Sequence, residues 1–170
     1  HIKAWLCQGD LFSEAPLVLT RSDGSGRVTA DVVRAPALLV THDCALDKKS
    51  ARGVMQASEI TFLPLRRLSS LEGNKQSIIR RNTLTPYDFL FVGELPGDLG
   101  ESYVNLGSAS TFSLDYFAPA LVLEDGEEEA HLTASRHDHR LGRLTSEQMD
   151  LFLDKWNVHW TRRIGSREPA

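Results

Sequence analysis

Cysteine is nearly absent from this chain: Cys7 and Cys44 are the only two in 170 residues, and they form no CxxC spacing. That scarcity argues against a disulfide framework and against a zinc site built from cysteines, and it makes a reducing cytoplasm the expected compartment. Long apolar runs are also missing. None approaches the roughly 20 residues of a membrane span, and the opening His1 to Cys7 is too short and too mixed to read as a signal peptide. Nor is there a basic excess, since 19 Lys and Arg face 23 Asp and Glu, for a formal charge of −4. A protein that holds nucleic acid mainly by its overall field should be basic, because phosphate neutralisation supplies most non-specific affinity. Repeats and linker-like stretches are absent as well.

What is present suits one globular domain over residues 1–170, with 41% hydrophobic and 25% charged residues. A chain of this length can bury a core without disulfide or metal staples. The charge is unevenly spread. Glu124-Asp125-Gly126-Glu127-Glu128-Glu129 carries five carboxylates, whereas Arg66-Arg67, Arg80-Arg81 and Arg162-Arg163 are basic pairs. A local basic groove on an acidic protein stays open on these numbers.

The punctuation is that of a sheet protein. Ala15 to Thr20 and Arg27 to Arg34 are extended segments around the turn Ser22-Asp23-Gly24-Ser25-Gly26, which is a hairpin signal. Ala37 to Thr41 is continuously apolar up to its threonine, as in a strand buried on both sides. Ile60 to Leu65 is the next strand, and Pro64, with no amide to donate, places it at a sheet edge or ends it there. Asn74 to Arg81 reads as a short helix or a loop. Phe89 to Val92, Tyr103 to Leu106 and Ser110 to Leu114 are further strands. Ala120 to Leu123 and His131 to Ala134 flank the acidic run as a second hairpin.

The clearest helix is the last, over about 145–163. Thr145 and Gln148 make a capping box. Met149, Phe152, Leu153, Trp156 and Trp160 share one face, with Asp150, Asp154 and Lys155 on the other. Such a stripe is expected to lie on the sheet as a lid.

Three pieces, in order, resemble the MazF/PemK family. Gly9-Asp10-Leu11-Phe12 is similar to the family's opening Gly-Asp strand. Arg34-Ala35-Pro36-Ala37-Leu38-Leu39-Val40-Thr41 resembles its Arg-Pro strand, with one alanine inserted before the proline. Ser110 to Asp115, together with Arg140-Leu141-Gly142-Arg143-Leu144-Thr145-Ser146-Glu147-Gln148-Met149, resembles its late strand and the start of its terminal helix. These pieces match well over about a quarter of the chain.

The resemblance implies a β-rich α+β fold, an antiparallel SH3-like barrel over about 4–134 closed by the C-terminal helix. It implies a homodimer that cuts single-stranded RNA without metal or other cofactor, as a toxin or defence protein with an antitoxin or other protein partner and no membrane. In the family an arginine on the Arg-Pro strand supplies positive charge and a Ser or Thr after the next strand assists. Arg34 takes the first position. Leu65-Arg66-Arg67 stands at the second, with Ser69 and Ser70 nearby.

Thr41-His42-Asp43-Cys44, with Asp47 close by, is the richest cluster of chemistry. RNA cleavage needs a base for the 2′-hydroxyl, an acid for the leaving oxygen and a cation on the phosphorane. His42 and Asp43 with Arg34 are the candidate catalytic set, and Arg66, Arg67 and Ser69 the candidate substrate contacts. Cys44 is a candidate thiol if His42 activates it. Against these stands a structural reading: Asp43 caps backbone amides, Cys44 is a small buried hydrophobe, and Arg34 is a solvated arginine or pairs with Asp31 or Asp43. Arg66 and Arg67 alternate faces, so only one can meet a ligand. His42, Asp43 and Asp47 lack the spacing of a metal motif, His137-Asp138-His139 reads as an exposed turn, and the acidic run as a solvated tip. Two functions are therefore carried forward: a domain acting on RNA, as a metal-independent endoribonuclease, and a non-catalytic barrel that binds a protein or ligand as a sensor or adaptor.

Overall fold

The computed structural model describes residues 6–43, 46, 59–113, 121–123, 132–134 and 139–165, without side-chain detail for 121–123, 132–134 and 163–165. The chain forms two compact units, each assembled from two stretches: His1–Phe62 with Ser110–Gly142, and Leu63–Ala109 with Arg143–Ala170.

In the first unit, β1 (Asp10–Ser22) and β2 (Val28–Leu39) form one long antiparallel hairpin, in register from Leu11 opposite Leu38 to Ser22 opposite Val28. The turn is built by its own residues. The Asp23 carboxylate accepts from the Ser25 amide and hydroxyl at 2.9 and 2.6 Å, and Gly24 and Gly26 take positive φ of 78° and 87°, which other residues resist. Alternation selects the core face. Leu17 opposite Val33 and Ala15 opposite Ala35 point inward, where Phe12 meets Phe62 edge to face at 6.1 Å. β9 (Arg140–Arg143) lies beside β1 and β6 (Ser110–Ser113) beside the start of β3 (Glu59–Arg67). The late hairpin forms as expected, β7 (Leu121–Leu123) against β8 (Leu132–Ala134), while its acidic tip lies outside the described residues.

Pro64 does not mark an edge. β3 pairs with β6 through Glu59–Phe62 and with β5 (Gly100–Asn105) through Leu65–Arg67. Leu63 and Pro64 fall at the change of partner from β6 to β5, so neither of those two ladders uses the missing amide.

In the second unit, β4 (Phe89–Leu95) pairs with β5, with a register shift between Phe91 and Gly93. α1 (Gly73–Arg80) takes the helical alternative for its segment. Its Ile79 packs with Leu68 and Tyr103, and Phe89 and Phe91 join them, because these strand positions share one face. Arg80 is held by Glu101 through two bonds of 2.8 and 2.6 Å.

α2 (Ser146–Gly165) starts as its sequence dictates. The Thr145 hydroxyl accepts from the Gln148 amide at 3.2 Å, and the Gln148 side-chain oxygen accepts from the Thr145 amide at 2.9 Å. The same Gln148 donates through Nε2 to the Val92 carbonyl at 2.7 Å, tying the cap to β4. Gln148→Glu keeps the capping oxygen but replaces that donor with a charged acceptor. It should cost about 1–3 kcal/mol in urea unfolding, the usual cost of stranding a half-buried acceptor. Thr145→Ala should cost about 1 kcal/mol.

The buried face of α2 is not the expected stripe. Phe152 is fully buried, but so are Lys155 and His159, while Trp160 is 40% exposed. Composition alone assigns a lysine to solvent; here a loop of backbone acceptors draws it inward.

The hydrogen-bonded order is β4-β5-β3-β2-β1-β9, with β6 beside β3. Among the described residues these pairings make an antiparallel sheet of seven strands, accompanied by two helices, and no pairing among them closes it into the barrel expected from the resemblance. No described helix is long and apolar enough to cross a membrane.

Candidate functional site

Arg34 lies within β2, opposite Pro16 across the hairpin. Its neighbours Val33 and Ala35 pack on the core, so the pleat turns Arg34 to the opposite face, where it is exposed. Among the described residues neither Asp31 nor Asp43 pairs with it, and its side chain makes no hydrogen bond. Its guanidinium is available to an anion.

β2 ends at Leu39, and the polar cluster follows. Thr41 and Asp43 have structural duties. The Thr41 hydroxyl accepts from the Thr61 amide at 2.7 Å, continuing the contact made by the Val40 amide with the Thr61 carbonyl at 2.9 Å. The Asp43 carboxylate accepts from the Gln8 amide at 2.5 Å, and the Gln8 side chain donates to the Val40 carbonyl at 2.9 Å. Asp43 therefore caps a backbone amide and fixes the segment. His42 is the exposed member, and its carbonyl accepts from the Leu46 amide at 3.3 Å. Cys44 and Asp47 lie outside the described residues.

Arg34 and His42 are not brought side by side by local geometry. Five strand residues separate Arg34 from the end of β2, about 16 Å of rise. A substrate touching both has to extend along the strand.

In the second unit, Arg66 stands opposite Tyr103 and Arg67 opposite Ser102. Tyr103 packs with α1, so Arg66 lies on that face of the sheet and Arg67 on the other. Both arginines are exposed, as is Ser69 in the short turn Leu68–Ser70 that follows. The Ser70 hydroxyl donates to the Arg67 carbonyl at 2.7 Å. Of the other basic pairs, Arg80 is committed to Glu101 and Arg162 stacks on Tyr87, 4.2 Å from the ring centre. His139, the described member of the late His-Asp-His triplet, sits 3.7 Å from Glu14 in the open. No metal-binding group of three His, Cys, Asp or Glu occurs among the described residues.

No family model matches the sequence, and no curated protein does. Among solved structures, an endoribonuclease in complex with its cognate antitoxin, from a mycobacterial species, aligns at 14% identity and a TM-score of 0.42 over 96% of this chain and 99% of its own. A second mycobacterial endoribonuclease aligns at 15% identity and a TM-score of 0.40 over 94% of each chain. Both likenesses fall below the level that establishes a shared fold, so function rests on this chain's own residues.

Two clusters escape a reading of the sequence. In the first unit, Asp10 and Arg140 are buried together, Oδ2 and Nε 3.5 Å apart, with the Cys7 amide donating to the same carboxylate at 2.8 Å. The signal was present in the motifs, since both residues belong to segments that resemble the family, but nothing in their spacing of 130 positions pairs them. In the second unit, Lys155 and His159 face Asp88 and the carbonyls before it. The spacing of four on one helix face was legible; the burial was not.

Proposed function

We propose that this chain is a MazF/PemK-like domain that acts on RNA, as a metal-independent endoribonuclease of a toxin or defence system, working as a homodimer and restrained by a protein antitoxin. The observation that carries the reading is Arg34, an exposed guanidinium on the outer face of β2 that no described residue engages. It stands at the arginine position of the segment that resembles the family's. A guanidinium offers paired N–H donors in the geometry of two phosphate oxygens and keeps its charge at any working pH.

In the proposed reaction the 2′-oxygen of the substrate loses its proton, bonds to phosphorus and displaces the 5′-oxygen, which leaves with a proton. Arg34 stabilises the negative charge that builds on the non-bridging oxygens. His42, exposed and next to a fixed backbone, carries the proton. Asp43 acts as a positioning residue through the Gln8 amide. In the second unit, one of Arg66 and Arg67, which lie on opposite faces of their strand, is with Ser69 a separate contact for the RNA backbone.

Mixed-sequence RNA incubated with pure protein in EDTA should be cut, leaving 2′,3′-cyclic phosphate ends. RNA that stays intact at high protein concentration removes the enzyme reading.

One observation favours the second reading, a non-catalytic module that binds a protein. The far half of the β1–β2 hairpin leaves Val18, Leu19, Val28 and Val32 at 38%, 40%, 65% and 50% exposure. Harmless, high-yield expression of the unmutated chain in an ordinary host would support it over the nuclease.

A further inference from the structure

α2 presents two basic side chains one helical turn apart, Lys155 and His159, to the segment 84–88, and both are buried. Lys155 Nζ donates to the Pro86 carbonyl at 2.7 Å and to the Leu84 carbonyl at 3.2 Å. His159 Nδ1 lies 2.7 Å from the Asp88 carboxylate, and among the described residues its buried Nε2 has no hydrogen-bond partner. The carboxylate that acts on Lys155 is thus already engaged by another base.

This geometry disfavours the ammonium form. A protonated lysine has three N–H donors, and among the described residues two carbonyls accept from it. Its full charge is out of water beside a second basic residue, with one shared carboxylate that is itself largely exposed. The neutral amine has two N–H groups for two carbonyls and no surplus charge to desolvate. Arg162, on the same helix, is turned onto the Tyr87 ring.

We propose that Lys155 is a proton-operated clasp, through which α2 grips the 84–88 segment more firmly once the amine sheds its charge. The inference is independent of any action on RNA.

Burial pushes the Lys155 amine from 10.5 down to about 8, with Asp88 pulling the other way. Between those limits the unfolded chain holds the extra proton and the folded chain does not, so stability rises with pH through that window and is flat below it.

The test is urea unfolding of the full chain at pH 7.5 and 9.5, followed by the fluorescence of Trp156 and Trp160 on α2. The unfolding equilibrium constant should fall about 20-fold at the higher pH. In Lys155→Met the change should shrink to less than about twofold. A Lys155→Met protein that keeps the wild-type response, or a wild type that shows none, overturns the clasp. A direct titration of the Lys155 ε-methylene in wild-type protein by NMR decides the matter if the variant does not fold: a midpoint near 8 supports the clasp, and one near 10.5 overturns it.

Discussion

Asp10→Ala should lower the stability of the protein by about 3–5 kcal/mol, the largest effect expected of any single substitution outside the apolar core. Asp10 is completely buried and its partner Arg140 nearly so, with 2% of the arginine side chain exposed. Removing one member of such a pair leaves the other charge with one partner fewer in a medium that solvates it poorly. The loss is compounded because the same carboxylate accepts from the Cys7 amide, and because Arg140 lies over Phe12, 5.9 Å from the ring centre. The pair joins β9 to the start of β1, so its failure should free the strand that leads into α2. Arg140→Met should be milder than Asp10→Ala, since a thioether of similar length still covers Phe12. The double variant Asp10→Leu/Arg140→Met should fall well short of the sum of the two, as expected when one substitution removes the reason the other was costly. Additive losses in a urea double-mutant cycle would show that the two groups act separately.

This pair also shows where the sequence is informative. The Gly-Asp and Arg-Leu-Gly segments stand out as motifs, and a motif invites a functional role. In the structure Asp10 and Arg140 meet inside the protein, and what they do is architectural. The strands and the hairpin turn are legible because alternation and Asp-Gly-Ser-Gly chemistry are local. The capping box is legible for the same reason: Thr145 and Gln148 supply both partners within four residues. Pro64 misleads because a proline's effect depends on which strands lie alongside, and partner choice is not local. Lys155 misleads on the same ground, since its acceptors, the carbonyls of Leu84 and Pro86, carry no side-chain signature at all.

Within the candidate site the sequence locates the polar residues but not their duties. Thr41 and Asp43 look like chemistry and are bound to the backbone at Thr61 and Gln8. Arg34 could equally have paired with Asp31; the pleat of β2 and the register with β1 leave it outward and unengaged by any described residue instead. That distinction needs coordinates, because a strand position's face is fixed by its neighbours' burial.

Arg34→Ala should therefore separate function from folding. The Arg34 side chain is exposed and makes no hydrogen bond or ion pair among the described residues, so the substitution should change stability by no more than about 0.5 kcal/mol. On the nuclease reading it should nevertheless reduce RNA cleavage about 100- to 1,000-fold, the loss typical of deleting one donor to a developing oxyanion. It should also flatten the salt dependence of single-stranded RNA binding by about 0.7 in log–log slope, because one phosphate is no longer neutralised by the protein. Arg34→Lys should recover binding more than cleavage, because an ammonium supplies charge without the paired donors. His42→Ala should slow cleavage by about 100- to 10,000-fold while leaving that slope unchanged, as a proton carrier does not neutralise phosphate. Asp43→Asn should do little, since an amide oxygen still accepts from the Gln8 amide. If Arg34→Ala cuts and binds like the wild type, the exposed guanidinium is only a solvated strand residue. The valine-bearing hairpin then becomes the better guide to what this protein meets.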